Sequence, residues 1–571
     1  MAAPFPRGAV EALAIAGWKV LGEKATTYDA AGQIRNVLDD GNGNSLLHVV
    51  DNGGQVFNVK AYGAKGDGVT DDTAAIQAAI NAASSGSDVF IPYTSTGYLC
   101  GALSIPPGVH LVFAANAFFT APSSLSASWI VAQPSEVHNG TACVNGTFDA
   151  SNVTSTSVTA VIDFAQVTSC PNAKIIGNRI INAPLHGIFI KELTIWTQEN
   201  KWVLNNSIEG YAKTALGYGI YGDYIGNLVI EGNLILGNNS ADGIELGHSG
   251  TAYLGGLAAN MRCVNNTVVA SDIQFPFSDG ALIANNTLLG GSVIQNDNNT
   301  ANHVIISGNM ILASNPAAGY GGIGCNGDSP TIIGNFVQIA AGAAGAGIGG
   351  NGGGGNMTNA TIVGNTVETL YTGGSPSQFG IYSGAGSSTT YPNTNIKDNS
   401  VIGEWLYGII VQGSGTRVQG NTVGPSTDGT SPTNVPSTAL LMYNAGTLGY
   451  NTVNNIIEGN DFSRATTPVS IQGFANPSQS TWVIRNNKGY NPVGNAPINS
   501  YISTPASIGS GVAYTNPLGI DCMVYVTGGT VSAIAIGGTP TGLTSGAFFL
   551  PAGESITLTY TAAPTWVWVG S

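Results

Sequence analysis

Acidic side chains are scarce in this chain, only 32 in 571 residues, so the places where they gather stand out. The best such cluster in the repeated middle of the chain is Asp242-Gly-Ile-Glu245-Leu-Gly-His248. Asp223 lies in the related phrase YGIYGD, and Asp272 and Gln274 follow in SDIQF. Carboxylates in groups suit acid–base work, one taking a proton while another gives one. Glu245 and Asp242 are the first candidates, Asp272 and Asp223 the next, and His248 is placed to assist. The alternative is ordinary turn chemistry, because Asp-Gly is itself a turn signal. What separates the two readings is how the chain stacks these residues.

The stacking is written in a repeat. From about residue 171 to 491 a phrase of apolar, any, apolar, any, Asn, any, apolar returns about a dozen times, as in KIIGNRI, VIEGNLI, TIIGNFV and RVQGNTV. Its asparagines are Asn178, Asn206, Asn233, Asn266, Asn286, Asn309, Asn335, Asn365, Asn399, Asn421, Asn460 and Asn487, spaced by 20 to 39 residues. A short strand phrase at such a period is a solenoid signature. Variable spacing suits a right-handed parallel β-helix, whose corners accept insertions. Asparagine fits a left-handed turn and can hydrogen-bond from coil to coil. A second phrase follows each: HGIFI, YGIYGD, DGIELG, GGIGCN, AGIGGN, FGIYSG and YGIIVQ. Strand alternation turns its Ile inward and the neighbours outward. Aligned copies then stack Phe189, Tyr221 and Glu245 in one outward row and Lys191, Asp223 and Gly247 in the next. His186, Tyr218 and Asp242 fall at the corner before the strand. Coils lie about 4.8 Å apart, so acids one or two coils apart come within reach of a common substrate.

Composition narrows the function further. A net charge of −15 argues against nucleic acid and anionic membrane surfaces. Charged residues make up only 9%, and the exterior is expected to be Ser, Thr, Asn and Gly, a surface suited to carbohydrate. Six cysteines are scattered without CxxC or metal spacing and read as buried free thiols. No stretch suits a membrane span, and the start of the chain does not read as a signal peptide. No cofactor is expected.

The stretch FNVKAYGAKGDGVTDDTAAIQAAINAA, Phe57–Ala83, is a strand, a glycine-rich turn and a helix with Ile76, Ala79, Ile80 and Ala83 on one face. Thr70 or Asp71 is expected as N-cap, and Asp67, Asp71 and Asp72 read as turn and cap residues rather than metal ligands. The stretch resembles the entry motif of the pectate-lyase superfamily, shared by polygalacturonase-like enzymes and many phage tailspikes. VFIPYTSTGYLCGALSIPPGVHLVF, Val89–Phe113, is similar to that family's first coils. A segment within residues 32–54, NVLDDGNGN, resembles phage tail and appendage proteins, though a plain hairpin explains it equally.

The resemblance implies an all-β chain: residues 56–505 a right-handed parallel β-helix plugged by the helix, residues 1–55 an attachment segment, and residues 511–571 a small β-sandwich-like domain. There TWVWV is expected to place aromatics on both sides of one strand. The resemblance also implies polysaccharide as partner, a homotrimer, and a place on a virion tail or a cell surface. Hydrolysis in such a fold uses two carboxylates about 5 Å apart for retention or about 6.5–9.5 Å for inversion. Tyr221, Tyr224, Tyr253, Trp196, His186, His248 and Gln274 are the expected sugar-binding residues. The Asp-Asp, Gly-His-Gly and Arg-Ile-Lys set of polygalacturonases is absent from the coils, and few basic residues surround Glu245. Polysaccharide hydrolysis is therefore the expected activity. A binding-only adhesin and a free lyase or hydrolase are the alternatives.

Overall fold

The structure, a computed structural model, describes residues 55–192, 199–212, 217–223, 225–237, 242–247, 258–276, 278–291, 293–296, 301–315, 321–341, 343, 345–349, 357–370, 379–383, 393–412, 414–425, 435–443, 454–472, 483–490, 509–516, 521–551 and 553–570. Four short strands near the N-terminus are described as well. They form two antiparallel pairs, Thr26–Tyr28 with Ile34–Asn36 and Leu38–Asp39 with Ser45–Leu46. The chain divides into two compact units, residues 1–253 with 258–267, and residues 254–257 with 268–571.

Both units contain the same device, a parallel β-helix with three strands to the coil. In the first unit one coil runs Lys174–Ile176, Arg179–Ile181 and His186–Glu192, and each strand pairs in parallel with its counterpart in the following coil. In the second unit Ile305–Ser307, Met310–Ser314 and Gly321–Gly324 do the same. The repeated phrase therefore contains two strands with a corner between them, since KII and RII flank Gly177-Asn178. Ile175, Ile180 and Ile188 point inward and are fully buried, as are Ile306, Ile311 and Ile323. Each such side chain contributes roughly 1.5–3 kcal/mol by leaving water.

Asparagine holds the corner in a way the sequence reading only half anticipates. The left-handed residue is the one before it: Gly177, Asn205, Gly232 and Asn265 in the first unit, and Asn285, Gly308, Gly334, Gly364, Asp398, Gly420, Gly459 and Asn486 in the second. The repeated asparagine is buried and does the bonding. Asn206 Oδ1 accepts the backbone N–H of Asn178 at 2.9 Å and its side-chain amide at 3.0 Å, while Asn206 Nδ2 donates to Ile175 O at 2.9 Å. The ladder runs Asn178–Asn206–Asn233–Asn266 in the first unit. In the second it runs from Asn286 to Asn487. The described corner asparagines all find partners for their amides, which is why amide rather than an apolar residue recurs.

Glycine in the second phrase faces inward, not outward as alternation suggests. A Cβ on Gly187 would lie 2.6 Å from Gly219 O and 2.9 Å from Ile208 Cγ2. The strand starts where two walls of the coil converge, and only a residue without a side chain fits.

The helix Thr73–Ala82 (α1) covers the first coils with Ile76, Ala79 and Ile80. Its N-cap is Asp72, one or two positions later than expected. The Asp72 carboxylate turns back to accept the backbone N–H groups of Lys65 and Gly66, at 2.6 and 2.9 Å. Asp71 accepts from Thr73 N–H, and Asp67 from Val69 and Thr70. All three acids thus serve the turn. Gln77, which carried no signal in the sequence, pairs its amide with the backbone of Ser104 in both directions and docks α1 on a strand edge.

Residues 513–570 form a four-stranded and a three-stranded antiparallel sheet. They share a core of Val524, Val526, Ile534, Phe548, Leu550, Ile556, Leu558, Trp566 and Trp568. Trp566 and Trp568, two residues apart, point the same way and both are buried. This corrects the expectation of aromatics on both sides of that strand. All six cysteines are free and buried.

Candidate functional site

In the first unit the strands Ala160–Val167, His186–Glu192, Ile220–Asp223 and Ile244–Gly247 lie side by side. Their register confirms the expected rows. Phe189 pairs with Tyr221 and Tyr221 with Glu245; Lys191 pairs with Asp223 and Asp223 with Gly247. The first row extends one coil earlier to Asp163. This residue was missed because AVIDF lacks the Gly-Ile pair; aligning its Ile162 with Ile188 would have found it.

The face is recessed and aromatic. Phe189 and Tyr221 stack with centroids 4.7 Å apart, Tyr218 and Tyr221 lie 4.5 Å apart, and His186 stacks on Tyr218 at 5.2 Å. Glu245 is 4% exposed, Asp223 3%, Tyr221 7% and His186 6%, so these side chains sit at the bottom of the face. Asp242 is half-buried, two residues before the strand Ile244–Gly247.

Polar contacts fix the charged groups. Lys191 Nζ donates to Asp223 Oδ2 at 2.9 Å. The Tyr218 hydroxyl hydrogen-bonds the Glu245 carboxylate, and burial, together with the charges of Glu245 and Asp242, pushes the phenol well above its ordinary range. It therefore stays protonated and donates. Burial lowers His186 to about 4, and its Nδ1 accepts the Tyr218 backbone N–H at 3.1 Å. The ring is neutral at ordinary pH. Asp163 is raised by burial, against the Ser128 hydroxyl at 2.6 Å and the Ala165 N–H at 3.0 Å.

Asp223 and Glu245 leave the same side of adjacent strands, offset by two residues. With coils about 4.8 Å apart and about 3.3 Å per residue, their Cα atoms are about 8 Å apart.

Beside this face lies an ion pair that no spacing in the chain suggests. Lys201 Nζ meets Glu192 Oε2 at 3.1 Å, with both side chains wholly buried. Glu192 also accepts from Cys170 N–H, and Lys201 donates to Gly226 O. Asp272 and Gln274 belong to the second unit. There Asp272 accepts the Val293 N–H at 2.8 Å, and Gln274 pairs in register with Gln295. Trp196, Tyr224, His248 and Tyr253 lie outside the described residues. Among the described residues no three His, Cys, Asp or Glu side chains form a group able to hold a metal. No described helix is long and apolar enough to cross a membrane.

Residues 56–276 match the family described as rhamnogalacturonase A/epimerase, pectate lyase-like. The chain is a parallel β-helix protein, and over those residues it is similar to that pectate-lyase-like family. A stretch of 64 residues is 48% identical to depolymerase 1, capsule K30/K69-specific, of Klebsiella phage K5-2. That match covers 11% of this chain and 8% of the depolymerase. Among solved structures, the Dettilon tailspike protein is similar with a TM-score of 0.46 at 13% identity, over 90% of this chain and 93% of that one. The A-module of the Azotobacter vinelandii mannuronan C-5 epimerase AlgE4 gives 0.39 at 16% identity, over 75% and 99%.

Proposed function

We propose that this chain is a tailspike-like protein that binds a host surface polysaccharide on the recessed face of the first unit and cleaves it by hydrolysis. The observation that carries the reading is the diagonal placement of Asp223 and Glu245 on adjacent coils beside an aromatic floor. Their Cα atoms are about 8 Å apart, a backbone spacing on the scale of the roughly 6.5–9.5 Å between carboxyl groups that an inverting hydrolase uses. Glu245, held by the Tyr218 hydroxyl, serves as acid toward the glycosidic oxygen. Asp223, held by Lys191, serves as base toward water. Phe189, Tyr218 and Tyr221 offer ring faces to sugar, and Asp242 widens the polar rim. Residues 1–55 act as attachment segment and residues 511–571 as terminal module of a homotrimer on a virion tail or other extracellular surface. The short match to a phage depolymerase supports this reading.

Deep burial of both acids favours a second reading, a β-helix that binds polysaccharide without cleaving it. One assay separates the two. The chain is incubated with neutral and acidic polysaccharides while new reducing ends and the ultraviolet absorbance of unsaturated uronate are followed together. Reducing ends without absorbance, lost in Glu245→Gln and Asp223→Asn, are the expected result. Absorbance would replace hydrolysis by elimination. Binding without either signal would leave the adhesin.

A further inference from the structure

The four strands of the recessed face carry Asp163, Glu192, Asp223 and Glu245 against a single lysine, Lys191. Glu192 turns inward to Lys201 and leaves the face. Asp223 holds Lys191 Nζ at 2.9 Å, so the one cation of these strands is already matched. His186 adds none, because burial keeps its ring neutral at ordinary pH. Lys174 and Arg262 lie on a second sheet of these coils, and Arg179 on the third, where it pairs with Glu209. Asp242 adds one more acid beside the face, while Lys213 and His248 fall outside the described residues.

The negative charge is laid out along the line a bound chain would follow. Asp163 and Glu245 stand at the two ends of one outward row, with Phe189 and Tyr221 between them. Three coil steps separate the ends, about 14 Å. The stacked rings make the floor, and the two carboxylates are only 6% and 4% exposed. Donors fix both of them: the Ser128 hydroxyl at 2.6 Å and the Ala165 N–H at 3.0 Å for Asp163, the Tyr218 hydroxyl for Glu245. Charge so little exposed is poorly screened, and a second carboxylate brought beside it is repelled more strongly than in water. A polyuronate carries a carboxylate on every unit, so no register along the row clears both ends. Sugar hydroxyls meet no such conflict, since they donate to carboxylates while the apolar ring faces stack on Phe189 and Tyr221.

We infer that this face selects an uncharged polysaccharide and rejects polyuronates, with Asp163 as the residue that sets the selection at the end of the row away from Glu245. The inference rests on the proposed carbohydrate-binding role of the first unit and adds the chemical class of its substrate. Asp163 acts on affinity, three coils from the candidate acid, and takes no part in the proton transfers assigned to Glu245 and Asp223.

The test is calorimetric titration of the full chain with malto-, cello- and chitooligosaccharides and with oligogalacturonides, at low and at high sodium chloride. A neutral probe is expected to bind with an affinity that salt does not change. Oligogalacturonides should bind about tenfold more weakly or worse at low salt, and the gap should narrow as salt screens the repulsion. Asp163→Asn keeps the shape and removes the charge, so it should strengthen oligogalacturonide binding about tenfold at low salt; Asp163→Glu should keep the wild-type gap. The salt series needs no variant and stands even where a substitution fails to fold. Oligogalacturonides bound as tightly as the neutral probes, with or without calcium ion, would overturn the inference. If Glu245→Gln then stopped their cleavage, the hydrolytic reading would survive with the opposite substrate class. An unchanged gap in folded Asp163→Asn would overturn the role given to Asp163. If no probe of either class binds, the reading of the face falls and the inference falls with it.

Discussion

The Tyr218 hydroxyl of one coil hydrogen-bonds the Glu245 carboxylate, and the strand carrying Glu245 is the neighbour of Ile220–Asp223. The bond ties the candidate acid to the aromatic floor on which a sugar would rest. Removing it in Tyr218→Phe keeps the ring and deletes one donor. A charge-assisted bond contributes about 1.5–3 kcal/mol, so kcat should fall by roughly tenfold to a hundredfold with KM little changed. Glu245→Gln should abolish turnover while preserving the fold. Steady-state kinetics on whichever polysaccharide yields reducing ends reads both. Equal losses of kcat and thermal stability in Tyr218→Phe would assign the bond to structure alone.

His186 links stability to pH. Its folded-state value is lowered from 6.5 to about 4 by burial. Between those limits the unfolded chain binds the proton that the folded chain excludes, so stability falls as pH drops from about 6.5 toward 4 and changes no further below. The full shift corresponds to about 3 kcal/mol at most. In His186→Gln, which keeps an acceptor for the Tyr218 N–H, this part of the slope should vanish. Denaturant unfolding of both proteins at neutral and mildly acidic pH measures it.

Lys201 and Glu192 form a sealed pair. Lys201→Met strands a buried carboxylate and should cost about 3–5 kcal/mol. Adding Glu192→Gln should recover much of that loss, because the desolvation penalty goes with the charge. A double-mutant cycle by denaturant unfolding gives the coupling. Additive losses would show that the two charges do not depend on each other.

Asn335 accepts from Asn309 N–H and Nδ2 and donates to Ile306 O. In Asn335→Ala these groups lose their partners, at about 1–3 kcal/mol for each one left open. Amide exchange should accelerate first at Asn309. Uniform exchange across the second unit would show that the ladder acts collectively.

The six thiols offer a simpler check. Each is buried, and burial pushes Cys522 to about 11 and Cys325 to about 12. None should react with a thiol reagent until denaturant unfolds the chain.

The solenoid was legible because its cause is local and repeated. An amide at each corner and an inward Ile on each strand must recur wherever a coil is built, and KIIGNRI or DGIELG shows both. The rows Phe189–Tyr221–Glu245 and Lys191–Asp223 followed from alignment alone, since parallel register repeats the sequence phase. What escaped was either unrepeated or decided by packing. Asp163 sits in a coil without the Gly-Ile phrase. Glu192 and Lys201 meet at the end of one strand and the start of another, and no spacing rule links them. The left-handed residue proved to be Gly177 or Asn205 rather than the repeated asparagine, because the ladder needs that amide aimed along the stack. Trp566 and Trp568 followed the two-residue period of their strand into the core.

Every rung of the asparagine ladder reaches backward. The side chain of Asn206 satisfies Asn178 and Ile175, and that of Asn335 satisfies Asn309 and Ile306 besides a longer bond to Ile333 O in its own coil. Each coil is thus completed by its successor, and a growing stack is finished everywhere except at its newest corner. Such a structure has a direction of assembly, the same as the direction in which a ribosome delivers the chain. It can lengthen by whole turns without revising any joint already made.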